Sequence, residues 1–145
     1  MVNYFSQHIL SFAIWVPVLA GIFVLFTADD SKPSVTRWLA LAGSIISFLV
    51  TIPLYTHFNF MDGGFQFQEG FNWITAFNIN YQLGVDGIAV PLILLTSFTT
   101  VIVVIAAWEV IEKRVAQYMA CFLIMSGLMI GVFSALDAIL YYVFW

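Results

Sequence analysis

Four stretches of the chain, Ile9–Thr27, 38–56, 88–108 and 118–136, contain no Asp, Glu, Lys or Arg. A helix of about 20 apolar residues, rising ~1.5 Å per residue, spans a ~30 Å hydrocarbon core. Each stretch is long enough to do so. Inside lipid a backbone group must find its partner within the protein, so each run is predicted to be helical. The prolines are placed accordingly. Pro17 and Pro53 need a neighbouring helix over the carbonyl they free, and Pro91 falls near a helix start, where no N–H is missed.

The rest of the composition agrees. Only 8% of residues are charged, against about 25% in soluble domains, and 63% are apolar. Too few polar side chains remain to cover a water-facing surface, and too little charge to keep the chain disordered. Four Lys and Arg side chains cannot build a phosphate-neutralising face, which excludes nucleic acid as a main partner. The single Cys121 can form no intrachain disulfide, and within its apolar run it reads as a small hydrophobe. The segment before the first run carries no basic side chain, so that run reads as a retained anchor rather than a cleaved signal.

All four basic residues, Lys32, Arg37, Lys113 and Arg114, lie in the connections 28–37 and 109–117. The positive-inside rule places those connections in the cytoplasm. The N-terminus and the connection 57–87, which holds Asp62, Glu69 and Asp86, are then outside. This outer connection is more than a linker. Phe65-Gln66-Phe67-Gln68 and Asn78-Ile79-Asn80-Tyr81-Gln82-Leu83 alternate at period two, with Gly63, Gly64 and Gly70 at turn positions, which predicts a short β-hairpin. Trp73 suits the headgroup level. The fold expected is all-α: a polytopic transmembrane bundle of four complete spans plus the first half of a fifth, with the hairpin outside.

Beyond Leu136, residues 137–145 have room for roughly 13.5 Å of helix, less than half a bilayer core. A fifth helix interrupted there would leave a carboxylate and unpaired carbonyls in hydrocarbon. The expectation is that residues 1–145 form the N-terminal part of a longer membrane domain.

Asp86 and Asp137 each precede an apolar run and read first as helix caps, accepting from exposed first-turn N–H groups. For Asp137 the functional alternative is a proton antenna on the outer side. Glu109, Glu112, Lys113 and Arg114 cluster at the inner end of the third span, with Glu109 and Lys113 at i,i+4 spacing. This reads as a solvated face, with Glu109 as the proton-entry candidate. His8 and His57 alone make no metal site. Gly84-x-x-Gly87 fits a close approach to a helix start but lacks the Lys and Ser/Thr of a nucleotide loop. Ser44, Ser47, Thr96, Ser97, Thr99 and Thr100 should bond across helices or to their own carbonyls. Gly127 and Gly131 form a small-xxx-small face for close packing. No catalytic constellation is present, and no residue is predicted to bind a cofactor or metal.

Three segments carry a resemblance: Asn80-Tyr81-Gln82-Leu83-Gly84-Val85-Asp86-Gly87-Ile88, Ala107-Trp108-Glu109-Val110-Ile111-Glu112-Lys113, and Gly131-Val132-Phe133-Ser134-Ala135-Leu136-Asp137 continuing to Trp145. Together they resemble the antiporter-like subunits of respiratory complex I, in particular the chain M family of bacterial NADH-quinone oxidoreductase and its mitochondrial counterpart, NADH dehydrogenase subunit 4. The likeness rests on motifs over 73–145 and on helix count and lengths over 1–71. It implies a fourteen-helix subunit of the bacterial inner membrane that moves protons while other subunits oxidise NADH and reduce quinone. NADH, FMN, iron–sulfur clusters and quinone would then sit on those partners. The family's fifth-helix glutamate would follow Trp145, so none of the family's pump residues transfers to this chain. The alternatives are a subunit of a multisubunit cation/proton antiporter and a non-catalytic membrane scaffold.

Overall fold

A computed structural model describes residues 8–27, 33–61 and 63–145. Residues 1–7, Lys32 and Asp62, which bear part of the topology expectation, lie outside the described residues. The elements run α1 (Ile9–Thr27), α2 (Pro33–Thr56), β1 (Gln66–Ile74), a 3-10 turn (Thr75–Phe77), β2 (Ile79–Val85), α3 (Ala89–Val110), α4 (Val115–Ser134) and α5 (Ala138–Phe144). Four of the helices are long and apolar enough to cross a bilayer. The first matches its uncharged run residue for residue.

The other boundaries differ in an instructive way. The second helix begins at Pro33 rather than at 38, so Arg37 lies within its first turns instead of in the connection. Its Nη2 donates to the carbonyl of Ile111 at 3.0 Å, pinning the start of α2 to the end of α3. A cation there also complements the negative end of the α3 dipole. Counting charges could not place this helix start, because the guanidinium is spent on the carbonyl end of a neighbouring helix. Trp38 and Trp108 meet edge-to-face beside it, 5.0 Å between ring centres.

The third span ends at Val110, and Ile111 is extended (ψ 111). Lys113 therefore lies off the helix, and the i,i+4 geometry expected between Glu109 and Lys113 is absent. Arg114, with φ 53, reverses the chain into α4, which starts at Val115, ahead of the expected 118, and ends at Ser134.

Consecutive helices alternate in direction, and buried side chains gather at two ends, labelled inner and outer after the sidedness expected above. The inner cluster joins Val24, Ala40, Val104, Ala107, Met119 and Leu123. The outer one joins Leu10, Ile14, Leu54, Leu83, Val90 and Leu140, among others. Between them α1 packs along α4 at very short range. A Cβ on Gly127 would lie 2.5 Å from Val18 Cγ2 and 2.6 Å from the Ile14 carbonyl, and one on Gly21 would lie 2.7 Å from Ile124 Cγ1. The paired glycines of α4 thus serve two partners. Gly127 admits α1, while Gly131 admits the ring of Phe144 on α5, which a Cβ on Gly131 would meet at 2.8 Å.

Hydroxyls inside the spans mostly bond as expected. Thr51 meets Ser97 across α2 and α3 at 3.0 Å, and Ser44, Ser97, Thr96 and Thr100 reach carbonyls on their own helices. Ser47 departs from that expectation: its oxygen is buried without a partner. Many large apolar side chains, such as Leu19, Phe26 and Val110, are exposed, as suits surfaces that meet lipid or further helices.

The hairpin forms, but longer than the alternation implied. β1 and β2 pair antiparallel, with register shifts between Gln66 and Glu69 and between Asn72 and Ile74. Phe67, at φ 57, marks the first irregularity, and Asn78, at φ 55, closes the 3-10 turn in the left-handed region that Asn tolerates. Leu136 N–H donates to the Gln82 carbonyl at 2.9 Å, and Leu83 bridges Ala135. The hairpin is thereby stitched to the α4–α5 junction and lies over the outer end of the bundle.

Candidate functional site

Three of the described carboxylates at the outer end satisfy helix N-termini. Asp86 Oδ1 accepts from Ile88 N at 3.1 Å and Ala89 N at 2.8 Å, ahead of α3. Asp137 Oδ1 accepts from Ile139 N at 2.9 Å and Leu140 N at 3.4 Å, ahead of α5. Both caps are local in sequence, which is why they are legible there. The third is not.

Glu69, on β1, is only 8% exposed. Its Oε1 accepts from Leu10 N at 3.0 Å and Ser11 N at 3.3 Å, so it caps α1 from 59 residues away. Its Oε2 takes a short hydrogen bond from Ser11 Oγ. Ser11 Oγ lies 3.4 Å from Tyr81 Oη, and Trp15 Nε1 donates to Tyr81 Oη at 3.3 Å. The backbone brings these together simply. Inward residues of a strand recur at every second position, so Ile79, Tyr81, Leu83 and Val85 of β2 are all buried and turned to the bundle. Glu69 falls in the same inward phase, opposite Leu83.

Charge counting along the sequence places Glu69 only as an outer-loop acid. A further signal is present: Phe65, Phe67 and Phe71 make 69 an apolar position of the sequence pattern, where an acid needs a buried partner, while across the bulge at Phe67 it is pairing with Leu83 that turns Glu69 inward. Two recesses flank the cluster. A groove of about 420 Å³ is bounded by Ser11, Trp15 and Tyr81 on one side and by Leu140, Val143 and Phe144 of α5 on the other. A second, of about 320 Å³, is lined by Gln68, Glu69, Gln82 and Leu136, and its walls are largely polar.

The two proton-path candidates are not brought together. Asp137 is half-buried at the outer end, whereas Glu109 is exposed at the inner end. About 30 Å of α4 separates those ends. His57 is exposed, with Nδ1 3.2 Å from the Pro53 carbonyl. Glu112, Lys113 and Arg114 are exposed near Glu109.

Four apolar antiparallel helices under a buttressed outer hairpin define a multi-pass membrane helix bundle that carries acidic side chains at both ends. Within that class the assignment is specific. The chain belongs to the NADH-ubiquinone oxidoreductase chain 4 family, whose amino-terminal profile matches residues 12–134. It is 38% identical over 141 residues to NADH-quinone oxidoreductase subunit M of Rhodobacter capsulatus, covering 95% of this chain and 27% of that protein. It is similar to two proteins named NADH-ubiquinone oxidoreductase chain 4. That of Chondrus crispus is 36% identical, over 87% of this chain and 26% of its own length. That of Arabidopsis thaliana is 38% identical, over 93% and 27%. The chain thus spans little more than a quarter of the length of these relatives.

Proposed function

We propose that this bundle is the amino-terminal region of a membrane subunit of a proton-translocating NADH-quinone oxidoreductase. It would contribute to proton movement while partner subunits carry NADH oxidation and quinone reduction. The observation that carries this reading is the family match over 12–134, which takes in most of α1, the hairpin and α2 through α4. In this reading the membrane is the bacterial inner membrane. Arg37, Lys113 and Arg114 mark its cytoplasmic side, and the N-terminus and hairpin lie outside. NADH, FMN, iron–sulfur clusters and quinone are held by the other membrane and peripheral subunits.

The test is purification of the full-length subunit from its native membrane through a tag. The tagged subunit is expected to bring down flavin- and iron–sulfur-containing partners, and the complex in liposomes to move protons when given NADH and a quinone. Recovery with antiporter-like subunits alone, and no NADH oxidation, would replace this reading with the stand-alone antiporter.

Asp137 and Glu109 are proposed as outer and inner stations of that proton movement. Substituting Asp137→Asn keeps an oxygen that can cap α5 but removes the charge. Assembly should be intact and coupled turnover reduced by less than about tenfold. A proton-to-electron ratio and rate equal to the parent's would leave Asp137 with capping alone.

A further inference from the structure

The donors that reach Glu69 all point towards it. An ionised carboxylate accepts and cannot donate, while backbone and indole N–H groups donate and cannot accept. Ser11 therefore directs its one hydroxyl hydrogen at Glu69 Oε2. With that hydrogen committed, a hydrogen bond across the 3.4 Å between the two hydroxyls has Tyr81 as its donor. Trp15 N–H in turn donates to Tyr81. The result is a directed chain, Tyr81 to Ser11 to Glu69, whose hydroxyl end lines the apolar groove against α5 and whose acidic end belongs to the polar recess between Gln68 and Gln82.

We propose that Tyr81, Ser11 and Glu69 form a proton relay joining the α5 groove to the outer recess, with Glu69 as its proton-holding site. This rests on the proton-moving function proposed above. A proton reaching Tyr81 Oη from the groove displaces the tyrosine hydrogen onto Ser11 Oγ, and the serine hydrogen passes to Glu69 Oε2. The proton is delivered by a hydronium ion in the groove, so three O–H bonds form and three break, a water molecule is left behind, and the single positive charge that enters neutralises the carboxylate. Release of that proton to water in the outer recess and rotation of the two hydroxyls restore the starting arrangement. Among the described residues, Tyr81 is a titratable group in contact with this path, and His8 lies just ahead of α1. The backbone donations from Leu10 and Ser11 hold the carboxylate in place throughout.

The 3.4 Å link is the longest in the chain, so Tyr81 is where loss of one oxygen interrupts it while the Glu69 cap persists. The experiment uses the intact complex in liposomes, comparing the parent with Tyr81→Phe and Ser11→Ala. Tyr81→Phe should assemble fully and oxidise NADH normally with a soluble artificial acceptor, yet lose about tenfold in NADH-driven proton movement. Parental proton movement in both variants would overturn the relay. Infrared titration of the same complex supplies a readout independent of pumping: a carboxyl C=O band should appear on acidification and vanish in Glu69→Gln. Should the complex not pump at all, the functional reading falls. The relay falls with it, whereas a parent that pumps beside variants that pump equally well overturns the relay alone.

Discussion

In the complex proposed above, replacing Gly127 by Leu should remove the subunit, and even Gly127→Ala should destabilise it by about 2 kcal/mol. The sign is informative because intrinsic propensity works the other way: Ala is favoured over Gly by about 1 kcal/mol in a helix interior. A net loss must therefore come from what the added methyl meets. It would lie 2.5 Å from Val18 Cγ2, 3.1 Å from Pro17 Cγ and 2.6 Å from the carbonyl of Ile14. A side-chain tip can swing aside, but a helix carbonyl moves only with its helix. The remedy is for α1 and α4 to separate, and with them the whole row of contacts from Val18 to Gly21. Pro17 tightens the constraint, since its ring cannot change rotamer to make room. Thermal inactivation of the purified complex gives the stability change, and immunodetection in membranes gives the loss of subunit for the Leu variant. Gly63→Ala, where an added methyl meets nothing within 4 Å, is the control and should match the parent. A Gly127→Ala complex as stable as the parent would show that the helices can yield at this crossing.

Most of this fold was legible because lipid imposes one strong rule. Uncharged runs of the right length must be helices, and α1 is bounded as its run is. Local caps were legible for a related reason: Asp86 and Asp137 act two and three residues away, within reach of sequence spacing. What escaped was whatever depends on a distant partner. Arg37 belongs to a helix because the Ile111 carbonyl receives it. The hairpin is longer than its alternating pattern because a bulge at Phe67 breaks the period and lets β1 continue through Ile74. Pairing of Glu109 with Lys113 failed since the helix ends between them, a boundary that uniformly apolar and charged neighbours do not mark. The candidate site follows the same division. Asp137 and Glu109 could be located from sequence, while Glu69 needed the third dimension to be seen as more than a loop charge.

The second large effect concerns that residue. Glu69→Ala should loosen the start of α1 by about 2–4 kcal/mol, and Glu69→Gln by about 1. The first helix begins beneath the hairpin, and Glu69 stands between its first N–H groups and the outer recess, as their acceptor. Leu10 is fully buried, so its N–H would be orphaned by the Ala variant. The N–H and hydroxyl of Ser11 would lose the same carboxylate. A buried donor left alone costs about 1–3 kcal/mol, and two or three such losses, partly relieved by relaxation, give the range stated. Glutamine preserves a carbonyl for the two amides and offers its NH2 to Ser11 Oγ, so what it loses is charge at the positive end of the helix, worth about 0.3–1 kcal/mol. Hydrogen exchange on the intact complex separates these cases. Amides at Leu10 and Ser11 should exchange about 30-fold or more faster in the Ala variant and only severalfold faster in the Gln variant, at ~1.4 kcal/mol per tenfold. The difference should be confined to the start of α1 and the facing part of β1, since the stitch between Gln82 and Leu136 holds the other edge of the hairpin independently. Unchanged exchange in Glu69→Ala would mean that the first turn is satisfied without the acid. Equal damage in both variants would mean that charge rather than the hydrogen-bond acceptor secures it. In the first case the hairpin would be resting on the bundle by apolar contact, and a proton could occupy Glu69 without disturbing the helix it covers.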